Sequence, residues 1–266
     1  MDTVVLESVS KIFRHSPALF NWMGKERGGE TQALENVSLR VAAGEVLVLL
    51  GPNGSGKTTT LKLISTMLLP DAGRVLVKGA DTLTQPDRVR EHVGFAVATE
   101  RSFFPRLSAR ENLDFFAALD DVPRRSRPQK IEAMLERTGL RDGADTLVVK
   151  FSSGMYQRLG IARALIKEPS VILLDEPTRS LDPGSAAHFW DLVRELAEHG
   201  ASVVLATHSF NEAAAVGDVV AVLHHGVLAG QRVIAKWTSL EDLRSFYFGA
   251  TGELDEAAPV LARSFA

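Results

Sequence analysis

Val37, Leu39 and Val41 alternate with Ser38 and Arg40, the period-two pattern of a strand with one face buried. The stretches 45–50 and 171–174 are continuously apolar past Glu45, which predicts central strands covered on both faces. Between and after them the spacing lengthens to that of helices, over Leu61, Ile64 and Leu68, then over 109–119, 129–139 and 154–167. Strand and helix patterns alternating in this way predict an α/β domain built on a largely parallel sheet. Residues 99–167 carry helical patterns and no central strand, which predicts a helical subdomain inserted into the sheet domain. Within it, 123–130 is basic and punctuated by proline, and reads as a solvated loop before a helix. Residues 14–31 form a second irregular stretch containing Pro17, Phe20, Trp22 and Met23. Beyond 230 the periodicity weakens, a short amphipathic helix is predicted over 239–248, and the tail past Gly252 is expected to be disordered. No internal repeat is visible.

With 266 residues and 45% apolar composition the chain can bury a sizeable core. A charged fraction of 24% and a formal net charge of −3 supply no field for nucleic acid or an anionic membrane, so no nucleic-acid partner is expected. The absence of cysteine excludes disulfides, thiolate metal sites and a cysteine nucleophile, and fits the cytoplasm. No run approaches the ~20 apolar residues of a membrane-spanning helix, and residues 1–10 lack the pattern of a secretion signal. If the protein serves transport, another chain must form the path through the bilayer.

The first chemical motif follows the strand at 45–50. Gly51-Pro52-Asn53-Gly54-Ser55-Gly56-Lys57-Thr58 fits the pattern G-x-x-x-x-G-K-[ST] between a strand and a helix. Glycines let the backbone wrap phosphate oxygens, and successive N–H groups at a helix N-terminus form a positive cradle. Lys57 adds a point charge for the β- and γ-phosphates, Thr58 a hydroxyl for Mg²⁺, and Thr59 continues the nucleotide-binding run. A plain glycine-rich turn would explain neither the lysine nor the threonine. The second motif is the strand ending in Asp175-Glu176. Side chains alternate along a strand, so the two carboxylates take separate tasks, Asp175 toward Mg²⁺ and Glu176 as general base for the attacking water.

Between these motifs lies Phe151-Ser152-Ser153-Gly154-Met155-Tyr156-Gln157-Arg158, which resembles the Leu-Ser-Gly-Gly-Gln signature of ATP-binding-cassette (ABC) proteins. Ser180-Leu181-Asp182 is similar to the family's D-loop and His208 to its switch histidine, and Phe13 sits where the family stacks an aromatic on adenine. The resemblance covers about residues 2 to 230. It implies a P-loop NTPase fold: a RecA-like core with a mostly parallel sheet, an N-terminal antiparallel β part and the inserted helical subdomain. It also implies a nucleotide-binding domain over 1–230, followed by a short C-terminal extension over 231–266. ATP would lie in a head-to-tail dimer between one subunit's phosphate loop and the other's Ser152, Ser153 and Gly154, with Asp182 nearby. Glu176 and His208 would be the catalytic pair. A second cassette and a membrane-spanning permease would be the partners, at the cytoplasmic face of the membrane.

The sequence departs from the family pattern in places. Phe151, Ser153 and Met155 replace Leu, Gly and Gln, while Ser152 and Gly154 remain. Anchored on Phe103 to Asn112, the family's Q-loop glutamine falls on Thr99, followed by Glu100, which leaves either the hydroxyl or the carboxylate as a further ligand of Mg²⁺. The Ser-Ser-Gly-Met core and the insertion at 14–31 look most like cassettes of bacterial exporters. A soluble ABC ATPase of translation or DNA maintenance is the alternative, but the paired cassettes or long coiled-coil insertion typical of those proteins are not present.

Overall fold

A computed structural model describes residues 1–14, 29–97, 102–234 and 239–254. The strands are β1 (Asp2–Arg14), β2 (Glu30–Ala42), β3 (Val46–Leu50), β4 (Ala72–Val77), β5 (Ala80–Asp81), β6 (Val93–Val97), β7 (Val171–Asp175), β8 (Ser202–Thr207), β9 (Val219–His224) and β10 (Val227–Val233). The α-helices are α1 (Lys57–Ile64), α2 (Pro86–His92), α3 (Ala109–Leu119), α4 (Arg127–Arg137), α5 (Ser153–Leu165), α6 (Pro183–Glu198), α7 (Phe210–Val216) and α8 (Leu240–Thr251). They assemble as a mixed α/β fold with an antiparallel part and a mostly parallel sheet.

The antiparallel sheet runs β2-β1-β4-β5 and the six-stranded sheet runs β10-β9-β3-β8-β7-β6. In the latter, all neighbours are parallel except the β9–β10 hairpin. The apolar runs are continuous because this sheet has a core on each side. Val46, Val48 and Leu50 join Ile172, Leu174, Val203 and Leu205 under helices α3 to α8. Leu47 and Leu49 join Leu173, Val204 and Ala206 against α1 and the antiparallel sheet. Alternation along each strand thus sorts its side chains between two apolar layers instead of between protein and water.

Parallel pairing also sets the position of the site. Leu50 pairs with Thr207, Ala206 with Asp175, and Asp175 with Val97, so the strands' C-terminal ends come out along one edge. Ligands of open α/β sheets bind at this edge.

Several element bounds differ from the sequence expectations. α1 stops at Ile64, short of Leu68, because Thr66 takes a left-handed backbone with φ 65°. Residues 127–130 lie inside α4, with Pro128 in its first turn, where a missing N–H costs nothing. α5 ends at Leu165 and begins at Ser153, where the Ser152 hydroxyl caps it by accepting from Met155 N at 3.2 Å. α8 runs past 248 to Thr251, capped at its start by Ser239, and places Leu243 and Tyr247 in the core beneath α3 to α7. Strands β1 and β2 reach into the ends of 14–31, at Arg14 and from Glu30. The rest of that stretch, 15–28, and the tail beyond 254 lie outside the described residues.

Candidate functional site

β3 leads into Gly51, where no side chain fits: a Cβ would stand 2.2 Å from the Leu223 carbonyl oxygen. Gly56 closes the loop with φ 108°, and a Cβ there would meet Leu34 Cδ2 at 2.6 Å and Ala33 O at 2.8 Å. Both positions need glycine for room, and Gly56 needs it for its backbone as well. Immediately after it α1 begins without a side-chain cap, so the N–H groups of its first turn are available to an anion. Lys57 is 5% exposed, and its ammonium donates to Gly51 O at 2.6 Å and Pro52 O at 3.0 Å. Burial pulls its pKa below the ordinary lysine value, and Glu176 and Asp175 oppose that pull. Ser55 Oγ is buried in the same loop and has no hydrogen-bond partner among the described residues.

Across from the loop, Asp175 ends β7, buried, and accepts a hydrogen bond from Thr58 Oγ1 at 2.9 Å. Burial holds its carboxyl above the usual aspartate range, partly offset by the Thr58 hydroxyl. Glu176 continues the β7–β8 ladder through its N–H to Ala206 O at 2.9 Å, then turns with φ 51°. Its carboxylate accepts from His208 Nδ1, at 2.9 Å from Oε2 and 3.0 Å from Oε1. The Glu176 side chain is 17% exposed and that of His208 60%, so the pair is shielded on the glutamate side and open on the histidine side.

A cavity of about 460 Å³ brings together Asn53, Gly54, Gly56, Lys57, Thr58 and Thr59 with Asp175 and Glu176. Lys62, Arg179 and the run Thr31 to Ala33, which the motifs did not point to, line it as well. The donor set suits magnesium. A hydroxyl and a carboxylate stand side by side, and among the described residues no group of His, Asp and Glu forms an all-protein cage. Mg²⁺ is typically held by one or two such oxygens together with substrate phosphates and water. Thr99 and Glu100 lie outside the described residues.

Other predicted residues are elsewhere on the chain. Ser152 and Ser153 are exposed at the start of α5 and, with Gly154, lie outside the cavity. Gly154 abuts the segment after Glu176, since a Cβ there would come within 3.1 Å of Ser180 O. Asp182 caps α6, accepting from Ser185 N at 3.0 Å, and stands 3.7 Å from Arg158. Phe13, near the end of β1, pairs with Thr31 and has Lys11 Nζ 5.9 Å from its ring centroid. Thr31 lines the cavity and Phe13 does not. A separate groove of about 350 Å³ runs between α5 and α6, with charged groups that are already paired: Arg158 with Asp182, Arg137 with Glu195.

The sequence profile of the family described as ABC transporter matches residues 34–179. The daunorubicin resistance ATP-binding protein DrrA3 of Streptomyces coeruleorubidus is 40% identical over 217 residues, 82% of this chain and 67% of that protein. The ABC transporter ATP-binding protein NatA of Bacillus subtilis is 38% identical over 195 residues, 73% of this chain and 79% of that one. Among solved structures, a dimeric post-hydrolysis state of an ATP-binding cassette bound to ADP and Pi superposes with a TM-score of 0.75 at 28% identity. It covers 87% of this chain and 99% of its own.

Proposed function

The chain belongs to the ABC transporter family as an ATP-binding, ATP-hydrolysing subunit, and from that premise we propose that it works as one half of a nucleotide-sandwiching dimer coupled to a separate membrane-spanning subunit. One observation carries this reading: the exposed start of α5, at Ser152 to Gly154, lies outside the chain's own phosphate cavity. A helix N-terminus of this kind suits a γ-phosphate, and placed there it serves the nucleotide of a second copy. The dimeric state of the solved relative with ADP and Pi supports the same arrangement. The cassette is taken to span 1–230, with a helical subdomain over about 99–167 and the extension beyond 231.

In this reading the backbone from Gly51 to Lys57 wraps the β- and γ-phosphates. Lys57 exchanges its two loop carbonyls for phosphate oxygens, and Thr58 with Asp175 holds Mg²⁺, which neutralises charge on the phosphates when bound. Glu176 accepts the proton of the attacking water, and His208 orients that carboxylate through Nδ1–H while keeping its exposed face toward the γ-phosphate. Phe13 stacks on adenine at the mouth of the cavity, beside Thr31. Thr99 or Glu100 adds a further ligand to the metal.

Among the described residues no helix is long and apolar enough to cross a membrane, which fits a peripheral subunit held at the cytoplasmic face by its partner. Phe104 and Phe115, 42% and 39% exposed and packed edge-to-face with ring centroids 4.7 Å apart, with Leu119 at 64%, give such a partner an apolar surface. The daunorubicin-resistance relative supports an exporter.

The test is Glu176→Gln. Glutamine keeps the size of glutamate but cannot take the water's proton, so hydrolysis should fall about 10²–10⁴-fold with ATP binding retained. Size-exclusion chromatography should then show an ATP-dependent dimer that a bulky charged residue at Ser152 abolishes. A monomeric, ATP-loaded Glu176→Gln protein, even beside its membrane partner, would overturn the sandwich; hydrolysis at the parent rate would overturn the base.

A further inference from the structure

Glu176 sits in the left-handed backbone region, φ 51°, which a glutamate seldom adopts unless its surroundings impose it. Its side chain is held from the end of β8 by His208. Its backbone is held from elsewhere. Gln157, 5% exposed on α5, donates through Nε2 to Glu176 O at 3.0 Å and also to Pro177 O, and its Oε1 accepts from Ser180 N at 3.1 Å. The partners fix the orientation of the amide, since a flipped Gln157 would turn its oxygen on two carbonyls and its NH₂ on an N–H. All of the side chain's polar atoms are thus spent on 176–180, the segment that leaves β7. Arg179 N adds a second donor to Glu176 O at 3.2 Å, closing the turn from within.

We propose that Gln157 is a positioning residue for hydrolysis: it holds the Glu176 backbone in its left-handed conformation and thereby aims the carboxylate at the attacking water. The inference rests on the reading of Glu176 as the base. It also gives α5 a mechanical link to the chemistry. Ser152 caps that helix at its exposed start, and Gln157, little more than a turn further along, reaches the catalytic turn. A displacement of α5 is therefore passed to Glu176 through one buried amide. Misplacing a catalytic group by about 1 Å costs on the order of 10²-fold in rate without altering the contacts that bind substrate.

Gln157→Met, which keeps length and volume but has no amide, is the main variant. In the full chain, and with its membrane partner where that is needed for turnover, kcat should fall about 10–100-fold while KM and Mg-ATP affinity stay within about 2-fold of the parent. Gln157→Glu keeps an acceptor for Ser180 N but turns a carboxylate on the two carbonyls; it should lower kcat, at some cost in Tm, with Mg-ATP affinity kept. In the Glu176→Gln background, Gln157→Met should cost nothing further, because the group it aims is already disabled. If Glu176→Gln hydrolyses at the parent rate, the base assignment fails and the positioning role with it. If Glu176→Gln is slow but both Gln157 variants keep the parent kcat, only the positioning role fails. It also fails if the Gln157 and Glu176 losses multiply, or if both Gln157 variants lose nucleotide affinity and Tm along with kcat.

Discussion

Lys57 is bound by the loop it serves. Its ammonium is buried, its pKa is pulled down by desolvation, and two loop carbonyls satisfy it at 2.6 and 3.0 Å. Phosphate oxygens offer it a full opposite charge in place of two dipoles, so the exchange favours the nucleotide. Removing the side chain forfeits a charge-assisted bond of roughly 1.5–3 kcal/mol, and Lys57→Ala should weaken Mg-ATP binding about 10–100-fold in a calorimetric titration. Unchanged affinity would mean that the phosphates lie elsewhere. Lysine, threonine and glycines announce this loop because their spacing is local, within a single stretch of chain. Gln157 was as visible in the sequence and its use was not, since its partners lie 19 to 23 residues further on and are backbone atoms. Backbone partners leave no trace in residue identity.

At the scale of elements, the strands were legible and their surroundings were not. A run such as Val46–Leu50 announces burial on both faces, but only the assembled sheet shows Val48 and Leu49 entering different cores. Helix starts turned on local signals: the Ser152 hydroxyl caps α5 and Pro128 stands in the first turn of α4, whereas apolar spacing located both starts a little later. α8 shows what the weak periodicity past 230 concealed. Its Tyr247 ring packs edge-on to Phe210 at 5.2 Å, and its hydroxyl donates to Glu253 at 3.3 Å. Burial, with the Glu253 carboxylate second, pushes the Tyr247 pKa up to about 12 from 10.0. A group whose pKa is raised on folding contributes stability that is complete below its unfolded value and is lost as pH climbs through the folded one. The parent should therefore lose stability between about pH 10 and 12, and Tyr247→Phe should flatten that part of the curve in denaturant titrations at stepped pH. An identical slope in the two proteins would exclude Tyr247 as its source.

For the whole molecule, the order β10-β9-β3-β8-β7-β6 places β3, the strand that carries the phosphate loop, between two strands made long after it. Leu47 pairs with Val204 on one side and Val219 on the other. The loop itself is closed by late residues: Gly51 lies against Leu223 O, and Gly226 N donates to Ser55 O at 3.1 Å. Contacts so distant along the chain are slow to form, because loop closure must precede the pairing that rewards it. On the ribosome the motif at 51–58 emerges early and stays without its flanking strands until translation passes Gly226. Nascent chains stalled at successive lengths should be retained on immobilised ATP only once that glycine has cleared the exit tunnel, and retention of a chain ending at residue 202 would refute this. Nucleotide capture thus waits until β8, β9 and Gly226 have been made, and a chain released before them would neither sequester ATP nor waste it.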